Sequence, residues 1–407
     1  MTENSRRRFF KTAGAVGAVA ATAGLVAGCT DGEEAASPDS VSQPDLWPFR
    51  GRHQAGVTAP LAAAGLVSGL DVRVDNRAEL ASLLADLGNS IEKVMGGEPY
   101  ELRPGGFPPY DTGIIQQNEH GPAGISVVVG YGASLFDDRF GLADRRPAEL
   151  IRMPVFFNDY LVRPERSHGD LSITVNANNA DAAAHAFRQI MRETRGELIP
   201  RWMKEGFNHL LPDRQTGQAP VRNLMGFKDG TANLDSADEA LMDDLVWVRE
   251  DDGQPEWALG GTYQAVRVIR MMVEFWDRTR LNEQEDIFGR HRDTGAPLGM
   301  VEEVDTPEFA DLESHIARAN PRTPGSEENR ILRRGFNYST GFDGNDQLDQ
   351  GLVFFSYQRS LEKGFITVQR RLDGEVLEEY IRPLGGGFFF VPPPPADGEA
   401  LGAALTA

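Results

Sequence analysis

Two apolar, β-branched runs, "GISVVVGYG" (Gly124–Gly132) and "LSITVNA" (Leu171–Ala177), read as strands that follow one another in the order of elements. Ahead of them, "AAGLVSGLDVRV" (Ala63–Val74) reads as a strand. The helix pattern of "NRAELASLLADLGNSIEKVM" comes next, with Leu80, Leu83, Leu84, Leu87 and Ile91 at helical spacing. Behind them, Asn179 or Asp181 is placed to cap a helix in "DAAAHAFRQIMRE". The order is therefore strand, helix, strand, strand, helix. A related order returns after residue 216. "YQAVRVIRMMVEFW" (Tyr263–Trp276) is a long strand, "LNEQEDIFG" a helix, and "GLVFFSYQ" (Gly351–Gln358) a buried strand. Leu361, Phe365, Val368 and Leu372 mark a helix in "LEKGFITVQRRL", and "GGGFFFVPP" is a strand stopped by proline. Strands met in adjacent pairs favour an α+β fold with antiparallel sheets over a doubly wound parallel one.

Composition bounds the rest. A chain of 407 residues is long enough for two domains and for cores that enclose a cofactor. With 61 acidic against 41 basic residues the formal charge is −20, which argues against nucleic acid as a partner. The 44 glycines and 25 prolines suit many turns and strands. At the N-terminus, Arg6-Arg7-Arg8-Phe9-Phe10-Lys11 followed by the apolar run Ala13–Gly28 reads as a twin-arginine (Tat) export signal, removed on export. Val26-Ala27-Gly28-Cys29 reads as a lipobox, so that Cys29, the one cysteine of the chain, would carry a lipid anchor. The expected division is a signal over 1–28, a flexible tether over 29–46, domains over 47–215 and 216–395, and a tail over 396–407. Tat export passes folded proteins, and so points to a cofactor inserted beforehand.

The chemistry-bearing candidates are few. The chain holds no C-x-x-C, H-E-x-x-H, Walker loop or nucleophile elbow. "GFKDGTAN" (Gly226–Asn233) sets Asp229 in a glycine-flanked turn, too short for a phosphate cradle and too poor in oxygen ligands for calcium. Read as residues alone, Asp229 either serves chemistry or caps its turn through Asx hydrogen bonds. "DLESHIARANPR" (Asp311–Arg322) carries His315, and in "NRILRRGFNYS" two arginines follow the apolar pair Ile331-Leu332. Arginines so placed often turn inward, where they require an anion.

At these residues the chain resembles the haem-dependent dye-decolourising peroxidases, and within them the Tat-exported deferrochelatase/peroxidase branch. The resemblance runs through "HQAGV" (His53–Val57), G-x-x-D-G at Gly226–Gly230, "GRHRDTGAPLG" (Gly289–Gly299), His315 with "ANPR", Arg333 and the C-terminal "LVFFSYQRSLEKGF". It implies two ferredoxin-like domains, each with a four-stranded antiparallel sheet, in the manner of a dimeric α+β barrel, with haem b (iron protoporphyrin IX) in the C-terminal half. It implies His315 as the iron ligand, Asp229 and Arg333 as catalytic residues on the opposite face, and Gly230, Thr231, Ala232, Asn320, Pro321, Arg322 and Arg333 as haem-lining. Arg333 is preferred to Arg334 from its position in the family pattern; Arg334 is left to a propionate or to the surface.

The implied activity is reduction of hydrogen peroxide with oxidation of dyes or phenolic donors. Release of iron from haem, with iron-uptake components as partners, is the alternative. A non-catalytic haem-binding lipoprotein is the reading from another class, and retention of both Asp229 and Arg333 argues against it. Carboxylates ordinarily titrate near ~4, so an aspartate relay stays ionised in acid and an acidic optimum is expected. The expected location is outside the cytoplasm, secreted or anchored to the membrane's outer face, and a homo-oligomer is expected. Trp202, Trp247, Trp257, Trp276, Tyr338 and Tyr357 read as core aromatics rather than as sites.

Overall fold

The computed structural model describes residues 46–97, 99–101, 103–115, 123–210, 221–303, 309 and 311–407. The export signal, the lipobox at Cys29 and nearly all of the tether lie outside the described residues. Among those described, no helix is long and apolar enough to cross a membrane.

The first half is built from β1 (Ala64–Val72), α1 (Arg77–Gly96), β2 (Ser126–Gly132), β3 (Leu171–Ala177), α2 (Ala180–Glu193) and β4 (Leu198–Phe207). Both helices start where the chain supplies a cap. Asn76 accepts from Glu79 N and Asn179 from Ala182 N, which satisfies amides that have no partner in the first turn. Every pairing is antiparallel, in the order β2-β3-β1-β4. That is the ferredoxin-like arrangement.

The second half repeats it with β5 (Thr262–Met271), α3 (Leu281–Phe288), β6 (Leu332–Arg333), β7 (Phe336–Phe342), β8 (Leu348–Gln358) and β9 (Ile381–Val391), ordered β7-β8-β5-β9. β6 extends the β7 edge along β8. The two sheets meet twice, where Tyr131 and Gly132 pair with Phe390 and Phe389, and where Phe207 pairs with Asn337. The result is one closed antiparallel barrel, in which both sheets turn their inner faces to a common core of Val67, Val128, Val266, Phe336, Phe355 and Phe389.

The structure departs from the sequence reading in identifiable places. β4 and β7 carry no strand signal in the sequence because their apolar residues are diluted by charge, glycine and proline: β4 leaves Arg201, Met203 and Phe207 exposed and inserts Pro200. "YQAVRVIRMMVEFW" ends as a strand at Met271 and closes with a helical turn, Val273–Trp276. "LEKGFITVQRRL" is helical but broken, a π turn over Glu362–Ile366 with Gly364 off the helical conformation, followed by α4, which runs Thr367–Leu372. Part of the segment read as a tail is packed, with Leu401 and Leu405 buried in the first half's core. The six aromatics named above are all buried.

Candidate active site

The outer face of the second sheet opens into a cavity. Its floor is the outward side of β5 and β8, with Arg267, Ile269, Met271, Leu352 and Phe354. Asp229, Gly230, Thr231, Ala232, His315, Asn320, Arg322 and Arg333 all line it; Pro321 does not. Residues spread over more than a hundred positions thus converge on one space.

The Asp229 loop is a tight hairpin. Asp229 N donates to Val221 O at 2.7 Å, Asn223 N to Phe227 O at 3.0 Å, and Asn223 Oδ1 accepts from the amides of Met225 and Phe227. The turn passes through Gly226 at φ +89°, where a Cβ would lie 2.6 Å from the Arg292 guanidinium. Below it, Phe227 stacks on Phe288 with centroids 4.1 Å apart, and Trp276 Nε1 donates to Met225 O. So the turn is anchored in an aromatic cluster while its far end projects into the cavity.

That end is locked to the opposing strand by Asn233. Its Nδ2 donates to Arg333 O at 2.7 Å and its Oδ1 accepts Arg333 N at 2.9 Å. The two bonds fix Arg333 relative to Asp229, whose Oδ1 receives Arg333 Nη1 at 3.5 Å. This contact is at the outer limit of hydrogen bonding, and each side chain is about one-third exposed. Both groups are therefore able to bond a third atom between them. Arg334, which follows β6, donates its amide to Phe355 O and does not line the cavity. Burial pushes its guanidinium down to about 10, with the Tyr357 hydroxyl opposing. Of the two expectations for Arg334, a propionate or the surface, its place off the cavity lining and its partial exposure accord with the surface.

His315 opens a five-residue helix, His315–Ala319, and lines the same cavity. Its Nδ1 lies 2.8 Å and 3.1 Å from the two carboxylate oxygens of Glu375, whose side chain is buried. With Nδ1–H donated to a carboxylate, the ring's other nitrogen carries the lone pair for a metal. Glu375 was not legible: it stands sixty positions away in an unremarkable Asp-Gly-Glu turn. The nearer acids do other work. Asp311 accepts Glu313 N and takes Ser314 Oγ on its carbonyl, and Glu313 pairs with Arg318.

Elsewhere the wall is cationic. Arg290 and Arg322 both reach Glu303, and burial holds the Arg290 guanidinium below its ordinary value, with Glu303 opposing. A flat apolar macrocycle with acidic side chains fits this donor set: an imidazole on one wall, apolar floor residues and buried guanidiniums for propionates.

Comparison with known proteins agrees with the geometry. Residues 54–208 match the family described as Dyp-type peroxidase, N-terminal, and residues 220–396 match Dyp-type peroxidase, C-terminal. The deferrochelatase of Escherichia coli strain K12 is 43% identical over 396 residues, covering 95% of this chain and 93% of that protein. Among solved structures, the oxyferrous complex of DtpA from Streptomyces lividans superposes with TM-score 0.79 at 33% identity, covering 89% of this chain and 97% of that one. The DyP-type peroxidase of Cellulomonas bogoriensis gives 0.78 at 34%, covering 91% and 99%. Both halves of the fold, the cavity on the second sheet and relatives of nearly equal length lead to one assignment: the chain belongs to the Dyp-type peroxidase family of haem-dependent enzymes.

Proposed function

We propose that the protein is a peroxidase that holds haem b through His315, uses Asp229 to relay a proton and Arg333 to stabilise charge, and oxidises dyes and phenolic donors. Bound haem supplies the redox chemistry that accepts oxidising equivalents from hydrogen peroxide and returns them to donors one electron at a time. The protein's own part is proton and charge management. Asp229, ionised, takes a proton from one peroxide oxygen and delivers it to the other, so that the departing oxygen leaves as water. Arg333 offsets the negative charge that grows as the O–O bond lengthens. His315 is held by Glu375 in one tautomer and orientation, and Gly230, Thr231, Ala232, Asn320 and Arg322 complete the wall.

The observation that carries this reading is that one cavity is lined both by the Asp229–Arg333 pair and by His315. A carrier needs a ligand but no relay. Purified Asp229→Ala and Arg333→Leu variants should retain haem by their absorption spectrum, yet react with peroxide about 10²–10⁴-fold more slowly in stopped flow. Unchanged rates in both would remove the assignment.

A second reading is favoured by the name of the E. coli relative: release of iron from haem, with iron-uptake components as partners. Protoporphyrin IX among the products of an anaerobic incubation with haem would support it. We also propose export by the Tat pathway, acylation at Cys29, assembly as a homo-oligomer and the division at residues 47–215 and 216–395. Mass spectrometry of the mature N-terminus addresses the first two.

A further inference from the structure

A second cavity lies on the other side of one wall of the first, and Arg267 lines both. The wall is dry. Arg267 and Asp159 form an ion pair whose side chains are each only 2% exposed. Arg267 Nη1 also approaches the Met153 sulfur at 3.4 Å, and the guanidinium lies 5.4 Å from the Phe156 ring centroid. Arg267 is thus common to the linings of the two spaces.

The second cavity is enclosed by the loop 152–168 and by the Gly385–Gly386 stretch of β9. The loop lies so close that a Cβ at Gly385 would sit 2.0 Å from Arg166 O, so part of the wall is bare backbone. Met153, Pro154 and Val162 make it apolar, and Ser167 and His168 supply a polar end. His168 is held in place at φ +62°, a conformation unfavourable for a non-glycine residue. Its amide donates to Gly386 O at 2.8 Å, and its carbonyl accepts Trp202 Nε1 at 2.6 Å. Burial, with Arg152 and Arg201 nearby, pushes its imidazole down to about 4, so the ring is neutral over most of the acid range.

The rim combines features that water alone does not reward. Ile151, Val155 and Tyr160 are exposed, Val155 by 86%. Arg152, which lines the cavity, and Arg166, beside it, are exposed cations on a chain of net charge −20. Apolar walls, a cationic rim and a neutral imidazole are complementary to an aromatic ring that bears an acid and a hydroxyl.

We propose that this second cavity is a donor site that takes small anionic phenols, and that its shared wall, Arg267 on Asp159, is where the donor's electron crosses to the haem cavity. This rests on the peroxidase reading. The donor's O–H bond is the one that breaks. Its electron fills the oxidising equivalent left by peroxide reduction, its proton passes to the imidazole of His168, and a phenoxyl radical departs. The acid group sits on Arg152 and the ring on the Gly385–Gly386 backbone.

The test uses the haem-loaded protein with anthraquinone-2-sulfonate as a probe, without peroxide, by titration calorimetry. Arg152→Glu should weaken binding about tenfold, the usual scale for one charge-assisted contact. Val155→Trp, which places an indole across the mouth at an exposed position, should weaken it at least as much. Saturating probe should leave the Soret shift produced by cyanide unaltered, because cyanide reports the first cavity. In turnover, the KM for 4-hydroxybenzenesulfonate should rise about tenfold in Arg152→Glu while that for uncharged phenol changes less. Wild-type affinity in both variants, or mutual exclusion of probe and cyanide, would overturn the proposal. Probe binding that responds to both variants in a protein whose spectrum ignores peroxide would support the ligand site and refute the peroxidase reading beneath it.

Discussion

The outer face of the first sheet is covered by α1 and α2, whose Leu80, Leu83, Leu84, Leu87 and Ile190 pack against Leu66, Leu70, Ile173 and Val175 of β1 and β3. The outer face of the second sheet, built to the same strand order, is covered by an eight-residue helix, a five-residue helix and a helix broken at Gly364. Where the first half has a twenty-residue helix with an unbroken apolar stripe, the second has a turn with Asp229, a short helix opening on His315 and a turn with Glu375 around an open space. The same topology thus makes a core when its crossover is a long helix and a site when the crossover is cut short. Packing that would otherwise stabilise the second half is given up to make room for a cofactor.

That contrast is broken most directly by deleting equivalent apolar bulk on the two sides. Leu84→Ala should cost about 2–5 kcal/mol, because Leu84 is fully buried and its surroundings relax little. Leu352→Ala, on the cavity floor, should cost about 1 kcal/mol or less in the haem-free protein and more once haem is bound. Urea denaturation of both forms measures it; equal costs in the haem-free protein would erase the distinction.

Next in size is Glu375→Gln, which keeps the shape beside His315 and removes the charge. Loss of such an outer partner typically costs about 10–100-fold in metal affinity or activity, and the reduction potential should rise as the imidazole loses basicity. Haem transfer to apomyoglobin and a potentiometric titration read the two effects. An unchanged potential would mean that Glu375 only fills space.

Asn233→Ala probes how the second half holds its loops without a helix. The loss of both bonds to Arg333 should slow the peroxide reaction about tenfold while haem content and Tm stay near wild type. A fall in Tm with no change in rate would make Asn233 a structural tie and no more.

The smallest effect belongs to the first half. Asp170 accepts Val72 N at 2.9 Å, Ser134 Oγ at 2.6 Å and Arg139 Nη2 at 2.8 Å. Burial pushes its carboxyl up, but these bonds outweigh burial and hold it below the ordinary value. A depressed folded value means stability that is present above the unfolded value, ~4, and is lost as the pH falls through the folded one. Asp170→Asn should therefore flatten the decline of Tm below about pH 4. An identical decline would assign the acid limb to other carboxylates.

Much of this was legible before the structure. The apolar periods in α1 and β3 matched the observed spans, because in a closed core burial and local pattern ask for the same residues. β4 and β7 were not legible, since a strand that closes a barrel while facing water on its other side carries no continuous apolar signal. At the site, Asp229, His315 and Arg333 were named from motifs, and the cavity brings them together. Asn233 was quoted without a role, since a side chain that bonds backbone a hundred residues away leaves no local trace.

The chain's own order of residues determined the α+β class, the pairing of neighbouring strands and the identity of the titratable groups, because these follow from short-range period and residue chemistry. Tertiary structure alone decided that two sheets close into one barrel, that Arg333 and not Arg334 lines the cavity, and that Glu375 meets His315. Each of these depends on which distant backbone lies alongside, and that is settled only when burial of both sheets is satisfied at once.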